Sequence, residues 1–90
     1  MKHPNASGGI TIAYCKSSGF AASAVNAAQA LYQQLRLNAK LIPARGGIFE
    51  VAVAGKIVAK KSGNGFPGAD DIVSAVAAAL EVKRVLSTLV

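Results

Sequence analysis

Cys15 is the only cysteine of the 90-residue chain, and it lies in the stretch Tyr14-Cys15-Lys16-Ser17-Ser18-Gly19-Phe20. The step from Cys15 to Ser18 has the spacing of a Cys-x-x-Cys redox turn, with a hydroxyl where the second thiol would stand. In a two-thiol turn the first sulfur forms a mixed disulfide with its substrate and the second sulfur resolves it. With serine at position 18 an outside thiol must do the resolving, so the chemistry open to this turn is monothiol exchange or trapping of a partner. Glutathione is the expected outside thiol. Lys16 brings a cation next door in sequence, a helix N-terminus brings partial positive charge, and both favour a thiolate. The Ser18 hydroxyl can hydrogen-bond that anion. Against this stands the ordinary role of a lone cysteine as a small buried hydrophobe. On context alone the two readings are level.

The elements that must hold Cys15 can be read from the apolar spacing. Ile10-Thr11-Ile12-Ala13-Tyr14 alternates and is β-branched, so it predicts a strand. Helix signals begin near Ser17-Ser18. Phe20, Ala24, Ala28, Leu31 and Leu35 then recur every three or four residues, one buried helical face running to about Arg36. Ala39–Ile42 predicts a second strand that Pro43 halts. Residues 48–53 and Lys56–Lys60 form a hairpin around Ala54-Gly55, where glycine permits a positive φ. Glu50 and Lys60 are candidates for facing positions across it. Asp70 and Asp71 open a last helix, where acids complement the N-terminal dipole, and Ile72, Val73, Val76, Ala79 and Leu80 form its core face. The apolar tail Val82, Val85, Leu86, Leu89 and Val90 either packs back on the domain or serves a partner, including a second copy. The order β-α-β-β-β-α predicts an α/β (α+β) fold. Its first two strands are a parallel pair with a right-handed crossover, within a mixed four-stranded sheet bearing two helices. Residues 1–9 read as a flexible leader and 10–90 as one domain, because so short a chain builds a single core.

Composition narrows the function classes. Ten Lys/Arg against four Asp/Glu leave a formal charge of +6, which favours anionic ligands. The cations are scattered, and no aromatic residues are interleaved with them to stack bases, so nucleic acid is not the expected partner. One Cys and one His cannot assemble a structural zinc site, and no cofactor is expected beyond glutathione as a co-substrate. No apolar run approaches a membrane span, and the first nine residues lack a signal core, so a cytoplasmic location is expected.

Other motifs look chemical and have plainer readings. Gly63-Asn64-Gly65-Phe66-Pro67-Gly68 fits G-x-G-x-x-G, yet the further strand and distant acid of a dinucleotide site do not follow it. A shaped structural loop is expected. Gly46-Gly47 allows a sharp entry into the hairpin, and its backbone is placed to face a peptide bound near Cys15. His3 lies in the leader, away from any Cys/His pairing. Lys60-Lys61 reads as a solvated pair, with a second use in holding an anionic thiol.

Three segments together resemble a known family. "IFEVAVAGKIV" (48–58) is similar to the central hairpin of the selenoprotein W-like proteins, the Rdx family. "YCKSSGF" is similar to that family's Tyr-Cys-x-x-(Sec or Cys)-x-aromatic turn, and "GNGFPG" before an acidic helix start resembles the loop of bacterial members. The resemblance spans roughly residues 10–82, with the motifs in matching order. It implies a thioredoxin-like fold and thiol redox chemistry linked to glutathione and to cell redox homeostasis. Cys15 then matches the family's first cysteine, and Ser18 departs from the family's selenocysteine or cysteine. Where thioredoxin itself carries a cis-proline facing its motif, this chain has Gly46-Gly47, so thioredoxin's substrate groove does not transfer.

The resulting expectation is a redox protein with Cys15 as the attacking thiol, Lys16 activating it, Ser18 beside it without resolving power, and Gly46, Gly47, Phe66 and Pro67 in loops near the site. Glutathione or protein thiols would be its partners. The alternative is a non-enzymatic adaptor on the same fold, its redox site silenced by Ser18. A basic nucleic-acid binder is a third class, distinguished by steeply salt-dependent binding.

Overall fold

A computed structural model describes residues 9–62 and 65–89, with the side chains of the last helix described as far as Glu81. The leader before Gly9, including His3, lies outside the described residues. So do Gly63 and Asn64 of the glycine-rich loop, the side chains of the apolar tail from Val82 to Leu89, and Val90 entirely.

The chain runs β1 (Ile10–Cys15), a short 3-10 turn (Lys16–Ser18), α1 (Ala21–Leu35), β2 (Ala39–Ala44), β3 (Phe49–Val53), β4 (Lys56–Lys60) and α2 (Ala69–Leu89). This is the expected β-α-β-β-β-α order, an α+β arrangement consistent with a thioredoxin-like fold. The strands lie in the order β2-β1-β3-β4. β1 pairs parallel with β2 and antiparallel with β3, and β3–β4 is the hairpin.

Residue alternation decides which sheet face is covered. Ile10, Ile12, Phe49, Val51 and Val53 are buried, and the register sets Ile10 opposite Val53 and Ile12 opposite Val51. These strand residues join Ala24, Ala27 and Leu31 of α1 and Ile72, Val73 and Val76 of α2 in one apolar cluster. Both helices therefore close over the same face. Burying these branched side chains at roughly 25 cal/mol per Å² of apolar surface is the main force holding the layers together. Cys15, at the end of β1, has the opposite parity to Ile10 and Ile12, and it is not part of the cluster.

Two sequence expectations change. The second strand does not stop before Pro43. It continues to Ala44, with Pro43 opposite Tyr14. β2 is an edge strand, where the missing proline N–H leaves no neighbour unsatisfied. The first helix opens only at Ala21, because Gly19 (φ 79) ends the 3-10 turn in a left-handed conformation and separates it from α1. At its other end α1 stops at Arg36, also left-handed (φ 57). There the N–H groups of Arg36 and Leu37 donate to the carbonyls of Tyr32 and Leu31. Such a close satisfies carbonyls that a helix end otherwise leaves bare.

In the hairpin, Glu50 does lie opposite Lys60, and the register shifts between Val51 and Ala52, leaving Val58 as the extra residue of β4. The connecting residues Ala54 (φ 53) and Gly55 (φ 86) are both left-handed, as a two-residue type I′ turn requires. Ala54 bears a strain there that Asn would not. Ala54→Asn should raise stability by about 0.5–1 kcal/mol, read as a higher urea midpoint. An unchanged or lower midpoint would contradict the turn assignment.

Candidate functional site

The site is built where β1 ends. The Cys15 N–H donates to the Ile48 carbonyl at 2.9 Å, which extends the β1–β3 ladder by one bond and fixes the cysteine beside the Gly46-Gly47 entry to the hairpin. Immediately afterwards the chain folds into the 3-10 turn. The Gly19 N–H donates to the Lys16 carbonyl at 3.0 Å, and the Phe20 N–H to the Cys15 carbonyl at 3.3 Å. This tight winding brings both serines back over the sulfur. Ser18 Oγ donates to Cys15 Sγ at 3.1 Å, and Ser17 Oγ lies 3.4 Å from the same sulfur.

These contacts set the state of the thiol. Its pKa is lowered from the ordinary 9.0 to about 6. The hydroxyl of Ser17 contributes most, then that of Ser18, then the backbone N–H of Gly47. Burial opposes them, and the Ser18 N–H adds a smaller push downward. Each donor stabilises the anion over the neutral thiol, which is how hydrogen bonding shifts a titration. A thiol with that pKa is mostly thiolate at neutral pH, and the two serine hydroxyls at 3.1 and 3.4 Å are the contacts that favour it most.

The residue retains only 2% of its surface exposed, the burial expected of a core cysteine and not of a solvent-exposed thiol. Cys15 takes no part in the main apolar cluster, and the side chains bonded to its sulfur belong to Ser17 and Ser18, both exposed residues. For that reason burial raises the pKa less than the hydrogen bonds lower it.

The sequence-predicted residues divide accordingly. Cys15, Ser18 and Gly47 come together. A side chain added at Gly47 would come within 3.9 Å of Ser18 Oγ, and the positive φ at Gly46 (84°) and Gly47 (67°) curves this segment against the motif. Lys16 is exposed and is not among the groups acting on the thiol; hydroxyl and amide donors supply the stabilisation expected from it and from the helix N-terminus. Phe66 and Pro67 sit one layer away. The Phe66 ring meets Phe20 edge-on at 4.8 Å and Phe49 at 5.2 Å, so the loop packs on the aromatic residue that closes the motif. Mutual N–H to carbonyl bonds between Ser62 and Gly65, at 3.0 and 2.9 Å, pinch the loop just before Phe66. Ser17 is the site residue that sequence reasoning passed over. Its signal was a hydroxyl two residues after the cysteine, which reaches the sulfur only because the turn is 3-10 and not extended.

No helix among the described residues is long and apolar enough to cross a membrane, and no group of three or more His, Cys, Asp or Glu among them is placed to hold a metal ion.

The lowered thiol pKa has a consequence for stability. The native thiolate has already lost a proton that the unfolded chain keeps until its ordinary thiol pKa. Between about pH 6 and pH 9 the unfolded state thus binds more protons, and stability rises with pH. Below the native pKa this contribution is lost. The urea midpoint of the parent chain should climb from pH 6 to pH 8.5 relative to that of Cys15→Ala. Parallel pH profiles for the two proteins would contradict the shift.

The Rdx family model matches residues 9–78. A solved structure from Bordetella parapertussis is 28% identical, covers 76% of this chain and 91% of its own, and superposes with a TM-score of 0.67. A selenoprotein W-related protein from Vibrio cholerae is 26% identical, with 76% and 90% coverage and a TM-score of 0.67. No curated protein matches the chain.

Proposed function

The chain belongs to the Rdx family, a redox-type protein in general terms, and on that premise we propose that it carries out monothiol–disulfide exchange through Cys15. The observation that supports this most is the ring of donors about one sulfur: Ser18 Oγ at 3.1 Å, Ser17 Oγ at 3.4 Å and the Gly47 N–H. A thiolate is the attacking species in exchange, and these groups hold Cys15 in that form at neutral pH.

In the reaction, the Cys15 thiolate attacks one sulfur of a disulfide such as glutathione disulfide. A bond forms between Cys15 Sγ and that sulfur, the original disulfide bond breaks, and the other half leaves as a thiolate. Electrons balance without a cofactor. Ser18 has no sulfur with which to reverse the bond, so the mixed disulfide waits for a second glutathione or a protein thiol. As Sγ passes from anion to neutral disulfide, Ser17 and Ser18 lose their charged acceptor. The leaving thiolate is the next anion within their reach.

Incubation with glutathione disulfide at pH 7 tests the reading. Mass spectrometry should find one glutathione per chain, released by added thiol and absent from Cys15→Ser. A chain that stays unmodified while free cysteine in the same tube is consumed would overturn it.

A further inference from the structure

Cys15 keeps only 2% of its surface exposed, yet exchange at this residue places a second sulfur about 2.05 Å from Sγ. Something beside the thiol must give way to admit it. The groups that the structure sets against the sulfur are Ser17 Oγ at 3.4 Å, Ser18 Oγ at 3.1 Å and the Gly47 N–H. Gly47 is fixed from behind. The next residue, Ile48, accepts the Cys15 N–H at 2.9 Å, and Phe49 after it is buried in the core.

The turn Lys16–Ser18 is held far less firmly. None of its three residues is buried, and Gly19 after them is exposed as well. Two backbone bonds close it, from the Gly19 N–H to the Lys16 carbonyl at 3.0 Å and from the Phe20 N–H to the Cys15 carbonyl at 3.3 Å. So short a 3-10 turn is marginal by itself. Its serine side chains add two ties, and both end on one atom, Cys15 Sγ. A hydroxyl bonds an anion more strongly than a neutral acceptor, so the thiolate and not packing holds the turn down. A hinge follows directly. Gly19 is left-handed, with φ 79 and ψ 23, and Phe20 beyond it is anchored by the Phe66 ring at 4.8 Å.

We infer that the turn Lys16–Ser18 is a redox-sensitive strap, closed on the free thiolate of Cys15 and open when that sulfur is in a disulfide. The inference rests on Cys15 being the exchanging thiol. On forming the new bond the sulfur gives up its charge, both serines lose their acceptor, and the incoming sulfur takes space beside them. The turn swings about Gly19, while the end of β1 keeps its bond to Ile48 and α1 keeps its start at Ala21. The coupling is reciprocal: whatever opens the turn admits a disulfide, and a disulfide on Cys15 keeps the turn open. A partner protein thus meets one surface on the reduced chain and another on the adduct.

Amide hydrogen exchange followed by NMR tests this, with methyl methanethiosulfonate as the probe. The Cys15 thiolate attacks the sulfenyl sulfur of the reagent, a methyl disulfide forms at Sγ, and methanesulfinate leaves with the electron pair. In that adduct the Gly19 and Phe20 N–H groups should exchange at least about tenfold faster than in the reduced chain, as loss of a hydrogen bond to a charged group warrants. The Cys15 N–H, bonded to Ile48, should keep its protection. Cys15→Ala removes the acceptor without adding a group and should loosen the same two amides. Gly19→Ala strains the left-handed hinge without a clash, so it should loosen the turn in the reduced chain and speed the reaction with the reagent. Unchanged exchange at Gly19 and Phe20 in the fully modified chain would overturn the inference, and so would failure of the reagent to reach Cys15 in the folded protein. Loss of protection at the Cys15 N–H would overturn it too, because the end of the strand and not the turn would then be moving. Opening of the turn by this reagent in a chain that glutathione disulfide leaves unmodified would uphold the strap and count against disulfide exchange alone.

Discussion

Replacing Ser18 by cysteine should convert a lasting glutathione adduct into a short-lived one. In the parent chain the mixed disulfide at Cys15 waits for an external thiol. In Ser18→Cys the introduced thiolate sits where an oxygen now lies 3.1 Å from Cys15 Sγ, poised for internal attack. It forms a disulfide with Cys15, the bond to glutathione breaks, and glutathione leaves as its thiolate. Groups held this close react as though at effective concentrations far above molar, so release should be at least about a thousandfold faster than with millimolar external thiol. Quenched-flow mass spectrometry reads the adduct directly. Equal adduct lifetimes in parent and variant would mean that the turn does not bring the two positions together, and the monothiol reading would lose its structural basis.

The second large effect concerns the core beneath the motif. Phe49 is 1% exposed, belongs to the main apolar cluster, and touches Phe66, which in turn meets Phe20. Phe49→Ala removes the buried end of that aromatic row and leaves a cavity beneath Phe66. The expected cost is about 3–5 kcal/mol, a large share of the 5–15 kcal/mol that holds a typical domain folded. Urea denaturation measures it. Phe66, 38% exposed, should cost less when truncated, because much of its surface is already in water. A loss below about 1 kcal/mol for Phe49→Ala would contradict the burial assigned to it.

Most of the fold was legible because it is written in periodicity. The alternation of Ile10 and Ile12, the three-and-four spacing from Phe20 to Leu35, and the Ala54-Gly55 break each have one geometric reading, and the elements follow them. Pro43 misled because the effect of proline depends on strand position. It breaks a central ladder and is harmless at the β2 edge, and sequence does not state which strand lies at the edge. The site was legible in its identity and less so in its electrostatics. The Cys15–Ser18 spacing and Gly47 could be picked out along the chain. The large influence of Ser17 depends on a 3-10 turn that composition does not announce. Lys16 was expected to help activate the thiol because it is adjacent in sequence, but its exposed side chain is not among the groups acting on the sulfur.

Monothiol exchange at this turn needs Cys15 to be an anion at neutral pH, and the rate of its alkylation by iodoacetamide between pH 5 and pH 9 measures that most directly. The rate should follow a single titration with its midpoint near pH 6, and the midpoint should move upward in Ser17→Ala and in Ser18→Ala. A midpoint near 9 in the parent chain, or no reaction at any pH in the folded protein, would mean an ordinary core cysteine and would leave the fold to act as an adaptor.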